Sequence, residues 1–376
     1  MKISHITILL IVTLTLLSCS KEKNYTVEIK DGIEIIRNKN IESTPNLQLD
    51  LNLISDISLD ELVLPDSIPA INSFDNVVLD SEGNIYISNF TNSIVYKLDS
   101  KGNYITNFHR KGQGPGESLI ADDIAVIKDS VYVVGENGKV AVYNKKGDFL
   151  KQLRLIEGKY EGLQIKFSDN KVICATRSAN YDLEKEMTYF LIGLFLLDPN
   201  NFEKYSKILE IESSEDLNNY RYLMGGIQRQ SCFFKDQVFV EDLSFDDYAI
   251  DIYNISGEKI KRIEKQTRRI PCSDKFKAEV KEQDEKAPWV KFVADYMKQI
   301  LRMYVDKNGY LWIKPAIEGL EFDHQYYDIF NVEGIFLKRI KLPLNDSFEW
   351  LYFDKDKLIV RDPDNSVINI FDYKFL

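Results

Sequence analysis

Three charged side chains stand at equivalent places in the sequence and could together bind a polar ligand. Six strand pairs recur along the chain, and the second strand of each ends near Ser88, Val134, Ala175, Glu241, Lys314 and Arg361. The last three are charged, and Arg177 and Trp312 lie close to the same level. Charged groups beside an aromatic ring are typical of sites that orient a polar ligand. We therefore predict a ligand-binding set of Arg177, Glu241, Trp312, Lys314 and Arg361. The alternative is a row of solvated strand ends joined by salt bridges.

Motifs for catalysis or metal binding are few. His109 and His324 are far apart in sequence, and no H-E-x-x-H, C-x-x-C or G-x-S-x-G pattern is present. We expect His109 to be a surface residue. The oxygen-rich string "DPDNS" (362–366) could supply calcium ligands, although such a string is more typical of a turn. We predict no catalytic residue and no cofactor, with calcium as an open alternative.

The glycine-rich stretch "GQGPGE" (112–117) could be a phosphate-binding loop or a turn. A Walker loop needs Lys and Ser or Thr after its last glycine, and here Glu117 follows Gly116. The dinucleotide-binding pattern needs a wider glycine spacing, and Pro115 removes one backbone N–H that a phosphate would use. The sequence therefore favours a structural turn.

The N-terminus predicts export. Ile6–Leu17 is an apolar run of 12 residues, too short for the ~20 residues of a membrane-spanning helix but typical of a signal peptide. The following "LLSC" resembles the lipobox of bacterial lipoproteins, which would make Cys19 the lipidated first residue after removal of residues 1–18. An ordinary signal peptide with an incidental cysteine is the alternative. Ser20 at the next position implies, by the same resemblance, an outer-membrane lipoprotein on the periplasmic or cell-surface side.

Composition excludes one class of partner. Removal of residues 1–18 takes away one lysine, so the formal net charge of −11 becomes −12. Such an acidic chain repels nucleic acid, and membrane attachment is expected only through the lipid at Cys19. Of the remaining cysteines, Cys174 lies in an apolar run and is interpreted as a buried hydrophobe. A disulfide between Cys232 and Cys272 is left open.

The strand pairs predict the fold. Each consists of two apolar strands joined by a polar turn, and five of them are followed by a second hairpin; they span 76–89, 123–136, 164–177, 231–242, 301–315 and 349–362. Four strands per unit, repeated around a ring, are typical of β-propeller blades and less so of a sandwich. The sixth unit lacks a fourth strand, which "ISLDELVLP" (57–65) would supply. A helix is also predicted near 273–300, with an apolar stripe of Trp289, Phe292, Val293, Tyr296, Met297 and Ile300.

The stretches "DSEGNIYISN", "YKLDSKGNYITNF" and "GQGPGE", with the lipobox, resemble six-bladed β-propeller lipoproteins of Bacteroidetes-type bacteria, relatives of NHL-repeat propellers. The resemblance implies an all-β, six-bladed propeller of four-stranded blades over 55–376, after a tether with a short hairpin at 19–54. It implies a lipid-anchored module that binds an envelope peptide, glycan or protein, with a calcium-type lactonase or hydrolase as the alternative. These are fold-level analogies, because propellers host unrelated functions.

Overall fold

The structure is a computed structural model. The residues that it describes are 23–71, 74, 76–154, 162–168, 171–182, 185, 187–198, 201–216, 231–242, 247–275, 277–278, 282, 296–320, 324–344, 350–354, 356–362 and 366–376.

An N-terminal segment contributes three strands. β1 (Tyr25–Lys30) and β2 (Ile33–Asn38) form an antiparallel hairpin, and β3 (Leu49–Ser58) follows. β2 and β3 each also join a sheet whose other strands come much later in the chain.

The first three blades are antiparallel sheets whose strands pair in sequence order. Blade 1 contains β4 (Asn76–Leu79), β5 (Ile85–Asn89), β6 (Ile94–Leu98) and β7 (Tyr104–Phe108). A short parallel pair, β8 (Arg110–Lys111) and β9 (Glu117–Ser118), precedes blade 2. Blade 2 contains β10 (Asp123–Ile127), β11 (Ser130–Val134), β12 (Lys139–Asn144) and β13 (Phe149–Arg154). Blade 3 contains β14 (Gly162–Ser168), β15 (Lys171–Asp182), β16 (Met187–Asp198) and β17 (Asn201–Asp216).

The other three blades follow the same plan, and the N-terminal segment adds strands to two of them. Blade 4 contains β18 (Ser231–Phe234), β19 (Gln237–Glu241), β20 (Ala249–Asn254) and β21 (Lys259–Lys265). Blade 5 contains β22 (Ile300–Val305), β23 (Leu311–Pro315), β24 (Tyr326–Phe330) and β25 (Phe336–Lys341). Blade 6 contains β26 (Trp350–Asp354), β27 (Lys357–Asp362) and β28 (Val367–Phe375), and its fourth strand is β3.

The six first strands form a closed ring. β4, β10, β14, β18, β22 and β26 each contact the next in this order, and β26 contacts β4. Six apolar clusters among the described residues fill the spaces between neighbouring blades. Because both faces of a blade pack against neighbours, a strand such as β5 (IYISN) is buried at every position and reads as a continuous run. The predicted six-bladed propeller is confirmed.

Many hairpin turns share one local chemistry. Asp80 Oδ1 accepts hydrogen bonds of 2.9 Å from the amides of Glu82 and Asn84, and Asp306 repeats the arrangement. The glycine three residues after the Asp or Asn has positive φ, as at Gly83 and Gly309. A side-chain acceptor followed by glycine is the turn signal that the sequence carries in the repeats.

The N-terminal segment wraps the outer edges of blades 4 to 6. β2 pairs in parallel with β21 and extends blade 4 to six strands. The chain then crosses β25, where the Thr44 amide donates to the Leu337 carbonyl (3.0 Å). β3 finally pairs antiparallel with β28. The pairing segment is thus 49–58, and the expected 57–65 shares only Ile57 and Ser58 with it.

Of the helix predicted near 273–300, residues 274, 275, 277, 278 and 282 are helical, and the apolar stripe lies only partly within the described residues. One helical bond joins the Lys277 amide to the Ser273 carbonyl (3.0 Å). Trp289, Phe292 and Val293 lie outside the described residues. At the other end of the stripe, Tyr296 forms an isolated bridge with Pro271 and Ile300 begins β22. Within the described parts of the chain, no helix is long and apolar enough to cross a membrane.

Candidate functional site

The predicted charged residues lie at one end of the blades, which we call the mouth end. It is the end at which β19, β23 and β27 finish and from which the chain passes to the next blade. Glu241, Lys314 and Arg361 hold equivalent positions in blades 4, 5 and 6. Side chains two residues earlier, such as Phe239 and Ile359, lie in the clusters between blades. By strand alternation, the three charged side chains extend toward the following blade rather than toward the central axis.

Glu241 forms a buried ion pair. Its Oε2 lies 2.6 Å from the Lys298 ammonium, and the two side chains are 3% and 5% exposed. Lys298 comes from the segment that enters blade 5, so the pair joins blades 4 and 5 at the mouth end. A buried charge is stable only when it is paired with an opposite charge. We therefore interpret the Glu241–Lys298 ion pair as a structural contact between the two blades.

Blade 5 carries two more buried cations. Arg302 and Lys314 are directly opposite in the β22–β23 register and are 7% and 2% exposed. Gln299, 2% exposed, accepts a hydrogen bond from the Thr267 hydroxyl through Oε1 (3.0 Å). Its Nε2 has no acceptor among the described residues. The mouth end of blade 5 therefore combines positive charge with a buried amide donor.

Arg361 closes the set at the contact between blades 6 and 1. Its guanidinium lies 4.4 Å from the centre of the Phe74 ring, a cation–π contact. The Arg361 Nε is buried and has no hydrogen-bond acceptor among the described residues. Trp350, the first residue of β26, is opposite Arg361 in register. An arginine held over a ring with a donor to spare can bind a carboxylate.

Trp312 is not part of this set. Its side chain is fully buried between blades 5 and 6, 5.0 Å from the Phe353 ring. Its indole Nε1 donates to Asp306 Oδ2 (3.3 Å) in the turn at the opposite end of the blade. Trp312 therefore belongs to the core between blades 5 and 6, two residues before Lys314 on the same strand face, and does not reach the mouth end with the charged side chains.

Arg177 lies on blade 3, in line with Gly162 and Ile192 of the neighbouring strands. Its side chain is outside the described part of the structure. Beyond Arg177, β15 and β16 continue to the Asp182–Met187 pair, so blade 3 extends past the level at which its first strand begins. Arg177 is thus separated from the cations of blades 5 and 6 by blade 4.

Uncharged and acidic groups occupy the mouth end on the blade 1 side. Asn76 donates to Asp123 Oδ1, which joins the first residues of β4 and β10. Asp123 Oδ2 accepts the Ile165 amide of blade 3 (2.8 Å). Ser88 is fully buried, and its hydroxyl has no partner among the described residues. These groups of blades 1 and 2 contrast with the buried cations Arg302 and Lys314 at the mouth end of blade 5.

The glycine-rich loop (112–117) binds the carboxylate of its own residue Glu117. Glu117 Oε2 accepts the Gly114 amide (2.9 Å), and Glu117 Oε1 lies 2.6 Å from Arg110 Nε. The amide of Gly116, which has φ of 75°, donates to Gln152 (3.3 Å). These contacts use the loop's own donors, as expected of the predicted structural turn.

His109 is buried beside this loop, and the expectation that it is a surface residue was wrong. Its Nδ1 lies 2.8 Å from the Tyr143 hydroxyl and its Nε2 lies 2.5 Å from Ser118 Oγ. Burial lowers the pKa of His109 to about 4. In the neutral ring, one of these two nitrogens carries the proton and donates, and the other accepts. Ser118 is 1% exposed, so the serine and histidine fix the turn rather than present a nucleophile.

The described residues contain no group of three or more His, Cys, Asp or Glu side chains arranged to hold a metal ion. Of the string 362–366, only Asp362 and Ser366 are described. Cys174, Cys232 and Cys272 are all buried and free, so the bridge between Cys232 and Cys272 that the sequence left open is not formed.

Comparison with known proteins identifies the fold. A family model described as a 6-bladed beta-propeller matches residues 62–286. A Bacteroides fragilis NCTC 9343 protein assigned as exported has a crystal structure with a TM-score of 0.52 and 13% identity, covering 91% of this chain and 99% of that one. BamB from Moraxella catarrhalis aligns with a TM-score of 0.41 and 11% identity, over 86% of this chain and all of that one. No curated protein matches the sequence.

Proposed function

Because the chain belongs to the 6-bladed beta-propeller family, we propose that it is an exported, lipid-anchored binding module for a carboxylate-bearing ligand. The ligand site is the mouth end of blades 5 and 6, formed by Arg302, Lys314 and Arg361. The anchor is the lipid at Cys19, and the protein acts at the outer membrane.

The leader supports export and anchoring. The apolar run 6–17 and the lipobox-like "LLSC" are the two parts of a lipoprotein signal, in the right order. A similarly folded Bacteroides fragilis protein is assigned as exported. A propeller anchored this way would meet peptides, glycans and proteins of the envelope.

One observation carries the ligand proposal: the buried Arg302 and Lys314 and the half-buried Arg361 lie at this end of the propeller, together with two buried donors that lack an acceptor among the described residues. Arg302 and Lys314 are opposite each other in blade 5, and Arg361 lies at the next blade boundary. Arg361 Nε and Gln299 Nε2 lack acceptors among the described residues. A buried donor without an acceptor costs about 1–3 kcal/mol. A carboxylate would supply acceptors and negative charge together.

The test is a thermal-unfolding series on a soluble form that begins at Lys21. The probes are trigalacturonate, an acidic glycan, and hexaglutamate, an acidic peptide, with trilysine as the oppositely charged control. A ligand that binds only the folded state stabilises it by ~2.7 kcal/mol at one hundred times its Kd. We expect one acidic probe to raise the unfolding midpoint and trilysine to leave it unchanged.

Two variants tie the shift to the site. Arg361→Gln should remove the shift, whereas Lys374→Gln should keep it because Lys374 is 65% exposed on β28 of the same blade. The proposal is wrong if neither acidic probe shifts the midpoint or if the shift survives in Arg361→Gln. A calcium arm with and without EDTA tests the alternative of a calcium-type hydrolase, which a metal-dependent rise would favour.

A further inference from the structure

We infer that the mouth-end rim of blade 4 lies against the membrane surface, so that the candidate ligand site opens beside the bilayer. The inference rests on the proposed lipid at Cys19. We call this part of the molecule the anchor rim and define it by Tyr25, Asn38, Lys265 and the following residues 266–269.

Strand register places the start of the folded chain at the mouth end. Tyr25 is opposite Asn38, and Asn38 is opposite Lys265. The Lys265 amide donates to the Tyr248 carbonyl (3.0 Å), just beyond the end of β19 at Glu241. The first strand therefore begins at the same end of blade 4 as the candidate site, on the outermost edge of the sheet.

The length of the tether limits how far the rim can be from lipid. Cys19 precedes Tyr25 by six residues, and six residues span at most about 21 Å. Neighbouring strands are ~4.8 Å apart, so β1 lies about 19 Å from β19 across four strand spacings. Blade 1, on the far side of the ring, is farther from β1 than β19 is. The tether is thus too short for blade 1 to be the part of the propeller that faces the membrane.

The side chains at the anchor rim suit a bilayer interface. Lys23 is exposed and its ammonium lies 5.5 Å from the Tyr25 ring. Arg269 lies 5.5 Å from the ring of Tyr296, which is 42% exposed. Arg268 is exposed and pairs with Glu318. Exposed cations beside tyrosines are typical of residues at the level of lipid headgroups, and basic residues near an anionic surface are attracted to it.

The Gln266 amide donates to the Asn38 carbonyl (2.9 Å), which ties residues 266–269 to β2, the hairpin partner of the strand that follows the tether. The basic residues of blade 4 and the root of the anchor therefore form one surface. When the anchor rim lies against the membrane, the ligand that binds blades 5 and 6 is a molecule that itself lies at the membrane surface.

The test uses the full lipidated chain in vesicles of phosphatidylethanolamine and phosphatidylglycerol (3:1) that contain a headgroup-quencher lipid. A fluorophore is attached at Gln266→Cys on the anchor rim, at Ser256→Cys on the other end of blade 4, or at Thr91→Cys at the mouth end of blade 1. All three positions are exposed, and the internal cysteines are buried, so labelling is selective. We expect quenching at Gln266→Cys to be at least twofold stronger than at either other site.

Equal quenching at the three sites, or stronger quenching at Ser256→Cys or Thr91→Cys, would overturn the inference while leaving the anchor intact. Flotation separates this from failure of the proposed function: a wild-type chain that floats no better than Cys19→Ser has no lipid anchor, and both proposals then fail. The charge contribution is tested with Lys23→Gln and Arg269→Gln together, which should weaken quenching at Gln266→Cys. The matched pair Lys101→Gln and Lys146→Gln should not.

Discussion

The Lys265 ammonium lies 2.8 Å from Asp328 Oδ2, and neither side chain has any exposed surface. The same carboxylate accepts hydrogen bonds from Arg339 (2.7 and 3.0 Å) and from the Tyr248 hydroxyl (2.9 Å). Burial opposes the charged form, but Arg339 and Lys265 outweigh it and hold the pKa of Asp328 below its ordinary value. Lys265 and Tyr248 belong to blade 4, and Asp328 and Arg339 belong to blade 5. One carboxylate therefore joins two blades close to the N-terminal segment.

Asp328→Ala should lower the free energy of unfolding by about 3–5 kcal/mol, because it leaves the Lys265 and Arg339 charges buried without their carboxylate. Urea unfolding monitored by tyrosine and tryptophan fluorescence measures the change. The control is Asp50→Ala, whose partner Lys374 is 3.3 Å away and whose side chain is 49% exposed. That change should cost less than ~1 kcal/mol. Similar losses in the two variants would show that the buried carboxylate has no special role.

Acid should weaken the propeller through His109. Its pKa is lowered to about 4 in the folded chain and is ~6.5 when unfolded, so the unfolded chain binds more protons between these values. The stabilisation is fully present above pH ~6.5 and is lost as the pH falls toward 4, by up to about 3 kcal/mol. Urea unfolding of wild type and His109→Gln at pH 7.5 and 4.5 measures it. Wild type should lose more stability than the variant, and parallel losses would contradict the prediction.

Alanine substitutions at two turn glycines can distinguish the cost of backbone strain from the cost of steric overlap. Gly257 and Gly32 have φ of 84° and 81°, so alanine is strained at both by ~1–2 kcal/mol. A Cβ at Gly257 would overlap the Ile208 carbonyl oxygen, whereas one at Gly32 meets nothing within 4 Å. Gly257→Ala should therefore be less stable than Gly32→Ala by a further ~1–3 kcal/mol in urea unfolding. Equal stability would mean that blade 3 moves freely away from this turn.

Removal of β3 should open the ring. A form beginning at Leu59 lacks the fourth strand of blade 6 and leaves β28 as an exposed edge. We expect it to lose cooperative thermal unfolding and to aggregate, as measured by circular dichroism and size-exclusion chromatography. A form beginning at Gln48 keeps β3 and should fold with a lower midpoint, since it loses the buried Ile36 and Asn38. A cooperative, monomeric form beginning at Leu59 would contradict the closing role of β3.

Sequence patterns were sufficient for the repeated part of the fold. An Asp or Asn followed three residues later by glycine marks a turn such as 80–84, and the flanking apolar runs mark its strands. These signals are local, so six units and their order could be predicted. The glycine-rich loop was also predicted as a turn, because Pro115 and Glu117 are incompatible with the phosphate-binding motifs.

The site was predicted only in part. Glu241, Lys314 and Arg361 do lie at one end of three successive blades, because equal repeats place equal positions at equal height. Trp312 lies on the same strand face as Lys314 but two residues farther from the mouth end, where the ring is buried in the cluster between blades 5 and 6. His109 was misjudged because its burial depends on Tyr143, which is 34 residues away.

The sequence by itself therefore determined the strands of the repeated units, their turns and the number of blades, all of which depend on neighbours within a few residues. Only the tertiary structure decided which N-terminal strand closes the ring, because 49–58 and 57–65 are both strand-like and the choice depends on register with β28. It alone joined Lys265 to Asp328, which are 63 residues apart. Such pairs form because a buried charge is stable only beside its partner, and the fold decides which residues become buried together.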